Sequence, residues 1–138
     1  MSRRDAVRAA AAVEWFLGLG FGLPGLYAVW YFAEHGQVWD FLGFPTYGAG
    51  PFEESGLPTS VALLVAFVLV CVAEVVAGIL LWRDNRAGAV LAWALLPIEV
   101  AFWGGFDLPF GFVAGAIRTI LLLNAHRGDR PAGTASPG

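Results

Sequence analysis

Residues 59–87 read TSVALLVAFVLVCVAEVVAGILLWRDNRA. From Thr59 to Trp82 this stretch carries one charge, Glu74. About 20 mostly apolar residues in helical form cross about 30 Å of hydrocarbon, so it reads as a transmembrane helix. Arg83 to Arg86 then break it, and a second apolar run starts at Ala87. Working outward, the chain holds four candidate spans, at about 9–33, 59–82, 87–104 and 108–124. Gly104, Gly105, Phe106 and Asp107 divide the last two. Asp107 is placed to N-cap the final helix, with Pro109 in its first turn, where a missing N–H costs nothing. Fold class is therefore all-α: an integral membrane four-helix bundle. Residues 1–8 form a cytoplasmic N-terminal segment, 9–127 the transmembrane domain and 128–138 a disordered, Gly/Pro-rich tail.

Composition agrees. Of 138 residues, 58% are hydrophobic and 14% charged, against roughly 25% charged in an ordinary soluble domain. Net charge is −3 and every basic residue is an arginine. With no basic patch to grip phosphates, nucleic-acid binding is excluded. The single cysteine, Cys71, rules out an intrachain disulfide and reads as a buried thiol. The apolar run of the first span is too long for a signal peptide, and no small-residue cleavage site follows it, so it reads as a retained helix.

Arginine placement fixes the orientation. Arg3, Arg4 and Arg8 precede the first span, Arg83 and Arg86 lie between the second and third, and Arg127 and Arg130 follow the fourth. The other two connections hold no Arg or Lys and carry Asp40, Glu53, Glu54 and Asp107. The positive-inside rule puts both termini in the cytoplasm of a cell-membrane protein. Trp15 and Trp82 fall at the inner boundary and Trp30 and Trp103 at the outer one, as in an aromatic belt, while mid-span Trp93 reads as core. The long outer loop, Glu34 to Leu57, carries Trp39, Phe41, Phe44, Tyr47 and Phe52. Either it folds back over the outer mouth of the bundle or it lies in the headgroup layer.

Four ionisable residues fall within the spans: Glu14, Glu74, Glu99 and Arg118. At the bilayer centre each costs at least ~2.5–3.5 kcal/mol, so each is expected to face the interior. Small residues three or four positions away mark that face. Glu14 shares its stripe with Gly18, Gly22 and Gly25, Glu74 with Ala66 and Gly78, Arg118 with Gly111 and Gly115, and Glu99 with Gly88 and Ala92. Gly18, Gly22, Gly78 and Gly115 are the expected helix-packing positions. At 1.5 Å per residue, Glu74, Arg118 and Glu14 lie about 12, 10 and 8 Å from the cytoplasmic ends of their helices, and Glu99 about 18 Å. Arg118 therefore expects Glu74 as partner, with Glu14 second, and Glu99 stands alone nearer the outer half. The pair either fixes helix packing or organises a site for a ligand, a proton or a polar headgroup. Pro24 and Pro97 each free a carbonyl, of Gly20 and Trp93, which would face protein or trapped water.

Catalytic residues cannot be assigned. His35 and His126 stand at opposite ends, which excludes a bis-His haem, and no Cys/His cluster supports a metal. No P-loop or dinucleotide fingerprint is present.

The run Ala73-Glu74-Val75-Val76-Ala77-Gly78-Ile79-Leu80-Leu81-Trp82, the short turn through Arg86 and the Gly-rich first helix resemble the DoxX-like family of small four-helix membrane proteins. In that family a glutamate is followed four residues on by a glycine at the end of the second helix, as Glu74 and Gly78 are here. The resemblance implies a subunit or binding module for a lipophilic molecule, with quinone as candidate cofactor, or for a membrane or peripheral redox partner; membrane lipids are the other expected partners, and a homo-oligomer stays open. The chain departs from the family in lacking a basic residue near the outer end of helix one and a cysteine pair. Other classes stay open. These are an isomerase-type enzyme on a lipid-like substrate, similar to emopamil-binding-protein-like sterol isomerases though without a histidine in the spans, a proton-coupled carrier, and a passive scaffold.

Overall fold

The computed structural model describes residues 1–129. The chain runs through helix α1 (Arg3–His35), hairpin strands β1 (Trp39–Phe41) and β2 (Phe44–Thr46), the single turn α2 (Pro51–Glu54), then α3 (Val61–Trp82), α4 (Arg86–Gly105) and α5 (Pro109–Gly128). Among the described residues, α1, α3 and α4 are long and apolar enough to cross a membrane. Helix α5 is as long as α4 but carries Arg118, Thr119, Asn124 and His126, and it is not among them.

Local chemistry sets the helix ends. Helix α1 starts at Arg3 rather than Ala9, because Ser2 and Asp5 form a capping box: the Ser2 hydroxyl accepts from the Asp5 N–H while Asp5 accepts from the Ser2 N–H. The Ser2 hydroxyl also donates to the Asp5 carboxylate at 2.6 Å, and that bond, with the one from the Ser2 N–H, holds the carboxyl below its usual range. The segment 1–8 is thus mostly helical. Ser60 caps α3 through the Leu63 N–H, and Asn85 caps α4 through the Ala87 N–H. Asp107 does not cap α5. It stands in the left-handed region, with φ of 56°, and closes α4 instead. Its N–H donates to the Gly104 carbonyl and the next N–H, of Leu108, to that of Trp103. Asp84 ends α3 in the same way, with Asn85 N–H reaching Leu80. Both are Schellman closures with aspartate where glycine is usual. Leu108 is left as an N-cap without a side-chain bond, and Pro109 opens α5.

Helix α1 packs on α3 and α5, and α3 packs on α4; α4 and α5, though consecutive, touch less than any of these pairs. The described ends of the chain meet: Arg3 binds the carboxylates of Asp84, in the α3–α4 turn, and Asp129, after α5, each at 2.9 Å. These side chains are 37–52% exposed, so the pairs are worth at most about 1 kcal/mol each. Arg8 lies over the Trp82 ring, 5.0 Å from its centre, and Trp82 stacks on Trp15. Of the segment read as a disordered tail, Gly128 ends α5 and Asp129 is bound, while 130–138, with Arg130, lies outside the described residues.

Polarity runs opposite to that of a water-soluble fold. Phe16, Leu23, Leu69, Val90, Phe110 and Val113 are exposed, while Glu14, Glu74, Glu99 and Arg118 are buried. Apolar exposure on this scale is suited to lipid rather than water. Inside, small residues such as Ala6, Ala10, Ala92 and Ala125 pack at the end where Arg3 lies. At the other end Phe67, Phe102 and Phe106 form an aromatic cluster.

Part of the long loop folds back over one end of the helices, and its hairpin makes the chain not wholly helical. Phe41, Leu42 and Phe44, at the hairpin tip, are exposed. Further along, Tyr47 is buried against Phe67 and Phe106, and Phe52 meets Phe102 and Phe106 edge-on. The Tyr47 hydroxyl donates to the Phe21 carbonyl at 2.9 Å, tying the loop to α1. Burial pushes the Tyr47 phenol above its ordinary range and keeps it a donor. Tyr47→Phe is expected to cost about 1 kcal/mol of stability, the typical net worth of one hydrogen bond. A thermal midpoint in detergent unchanged from the parent would show that this bond contributes nothing.

Candidate functional site

Each long helix sends one ionisable side chain to a common point: Glu14 from α1, Glu74 from α3, Glu99 from α4 and Arg118 from α5. All four are at most 2% exposed. Small residues let the helices close around them. A Cβ added at Gly18 would come within 2.7 Å of the Cys71 carbonyl, and one at Gly22 within 3.0 Å of Cys71 Cβ. Gly78 receives the Trp15 ring and Gly115 the ring of Trp103.

Arg118 pairs with Glu99, not with Glu74. Nη1 donates to Glu99 Oε1 at 2.8 Å and Nη2 to Oε2 at 2.6 Å, a two-pronged fit of planar guanidinium to carboxylate. Glu14 comes second, its Oε1 3.1 Å from Nη1. Glu74 makes no ion pair with Arg118, but one carboxylate oxygen from each glutamate lies within 4.8 Å of the others. Glu99 is therefore neither isolated nor in a separate outer layer.

Side-chain direction explains the difference. Counting Cα positions leaves Arg118 and Glu99 at different depths. Side chains, however, lean toward the N-terminus of their own helix. Helix α5 runs away from the Gly105–Leu108 turn and α4 runs toward it, so Arg118 leans to the turn and Glu99 leans away from it. The long guanidinium stem closes the remaining gap.

The tryptophans also differ from expectation. Trp103 is not on the outer surface of the helices: it is 2% exposed and seated on Gly111 and Gly115. Trp93 is not core; it is exposed. Nor do the prolines open a cavity beside the acids, since Gly20 and Trp93 are both exposed residues.

By spacing alone the three carboxylates could share a cation. The chemistry fits poorly, because Glu99 gives both oxygens to Arg118 and the guanidinium already puts a positive charge in the same space. Charge and donors are nevertheless out of balance, with three carboxyl groups to one guanidinium. Neither Glu14 oxygen has a hydrogen-bond partner among the described residues.

A separate concavity went unread in the sequence. Where α4 and α5 diverge, a cleft of about 620 Å³ opens at the Arg3 end. Leu81, Ala89, Val90, Trp93 and Leu122 form its wall, and Arg3, Asp84, Asn85, Arg86, His126 and Asp129 its rim. The one sequence signal was the pair of acids, Asp84 and Asp129, set among the arginines of the connections on that side. Glu14, Glu74, Glu99 and Arg118 do not line it. No known protein family, characterised protein or solved structure matches the chain.

Proposed function

We propose that the chain is a four-helix cell-membrane protein of DoxX-like type, with both termini cytoplasmic, that binds an amphipathic molecule in the cleft between α4 and α5. Helix α5 completes the bundle as a fourth span: Arg118, the charge in its middle, is buried, while Asn124, His126 and Arg127 are exposed toward its C-terminal end. The orientation rests on the arginines gathered at the Arg3 end.

The observation that carries the binding function is the cleft itself. Its volume falls in the range of small-molecule sites, roughly 300–1,000 Å³. Its wall is apolar and its rim polar, at the level where a headgroup would sit. Asp84 and Asp129 offset Arg3, which leaves Arg86, Asn85 and His126 as donors for an uncharged acceptor head. A quinone, with carbonyl acceptors on an apolar tail, has that form. The Glu14–Glu74–Glu99–Arg118 cluster, closed and away from the cleft, holds the helices in register.

Native mass spectrometry of the detergent-extracted protein, with lipid analysis of what it releases, tests this. A bound isoprenoid quinone or similar amphipath is expected, and Ala89→Trp, which fills the cleft, should reduce its occupancy at least about tenfold. Retention of the molecule by a folded Ala89→Trp protein, or its absence from the parent, would remove the cleft as the site. A passive scaffold is the second reading, favoured by the closure of the cluster and the pairing of Glu99; an empty cleft in the parent protein would select it.

A further inference from the structure

We infer that the cluster of Glu14, Glu74, Glu99 and Arg118 is an internal proton-binding site, holding two protons on Glu14 and Glu74 while Glu99 stays ionised against Arg118. This stands independently of what the cleft binds.

Charge counting is the first support. Fully ionised, the cluster would carry three negative charges against one positive, sealed from water by four helices. An uncompensated buried charge is among the costliest things a fold can contain. The groups facing the cluster from every element packed around it are accounted for: Glu14 from α1, Cys71 and Glu74 from α3, Glu99 from α4 and Arg118 from α5. Arg118 is the one cation among them, so two charges remain to be neutralised.

Hydrogen bonding is the second, independent support. Glu14 is 0% exposed and neither of its oxygens has a hydrogen-bond partner among the described residues. An ionised carboxylate only accepts, and the hydrogen bonds that Arg118 makes through Nη1 and Nη2 end on Glu99, with Glu14 Oε1 held 3.1 Å from Nη1 as an ion pair. A proton changes this, because an un-ionised carboxyl is also a donor. Placed on Glu14 or Glu74, it supplies an O–H that can bond a neighbouring carboxyl oxygen, and those oxygens lie within 4.8 Å of one another. A metal ion would meet the charge deficit too, but it would have to sit beside the guanidinium and take oxygens that Arg118 holds.

Infrared difference spectroscopy of the intact protein in lipid tests the assignment through the carbonyl stretch of un-ionised carboxylic acids. The parent should show this band at neutral pH. Glu14→Gln and Glu74→Gln should each remove about half of it; Glu99→Gln should lower it too, because Arg118 then needs a counter-charge that only Glu14 or Glu74 can supply by losing its proton. Glutamine copies the shape and neutrality of a protonated acid, so the first two variants should also keep thermal midpoints near the parent, well above that of Glu99→Gln. A parent lacking the band overturns the proposal. So does a band that appears only after a chelator strips divalent ions, which would assign a metal instead. Loss of folding in Glu14→Gln or Glu74→Gln as severe as in Glu99→Gln would also overturn it, since it would show that those positions require charge.

Discussion

Glu99→Ala is expected to lower the free energy of unfolding by about 3–5 kcal/mol, the cost of breaking a buried ion pair from one side. Whole-protein stabilities are typically about 5–15 kcal/mol, so the variant should be only marginally folded. The cause is Arg118. It is 1% exposed, and its two terminal nitrogens both end on Glu99. Without Glu99 the guanidinium keeps only Glu14, at 3.1 Å, which places the loss toward the lower end of that range. Glu74→Ala should cost less, because Glu74 makes no ion pair with Arg118. The double variant Glu99→Leu/Arg118→Leu should recover part of the loss, since a pair removed together leaves no orphaned charge. Thermal or denaturant unfolding in a mild detergent measures all three. If Glu99→Ala costs no more than Glu74→Ala, Arg118 is not paired as described.

The second large effect lies one layer away. Trp103→Ala should cost about 3–5 kcal/mol, as large-to-small changes of buried aromatics do. The indole is 2% exposed and lies across Gly111 and Gly115, filling the space between α4 and α5. The converse change should also be destabilising. A Cβ at Gly115 would lie 2.5 Å from the indole ring, so Gly115→Ala should cost about 1–3 kcal/mol by overpacking. The double variant Gly115→Ala/Trp103→Ala should then be less damaged than the sum of the singles, because the methyl has room once the ring is gone. Strict additivity in that double-mutant cycle would mean that the ring and the glycine are not in contact. Gly115 is three residues from Arg118, so displacement of α5 here should also loosen the Glu99 pair.

These effects depend on features of different legibility. The apolar runs, the helices they form and the inward faces of Glu14, Glu74, Glu99 and Arg118 could be read along the chain. A residue's angular position on a helix is a local property, and small residues three or four places away mark the side that neighbours approach. The helix starts at Ser2, Ser60 and Asn85 are equally local, each set by a side-chain oxygen that accepts from an N–H of the first turn. Asp107 shows how a local signal misleads: the residue suited to cap α5 was already committed to ending α4.

What the sequence by itself determined was which ionisable residues face inward and at which end of the fold the arginines gather. Only the tertiary structure decided that Arg118 takes Glu99, that Trp103 is interior while Trp93 is not, that Tyr47 and Phe52 plug one end, and that α4 and α5 part to leave a cleft. Those outcomes depend on the relative height and tilt of separate helices and on side chains leaning toward their own N-termini. A shift of a few ångströms there exchanges one carboxylate partner for another without altering the periodicity of any single helix.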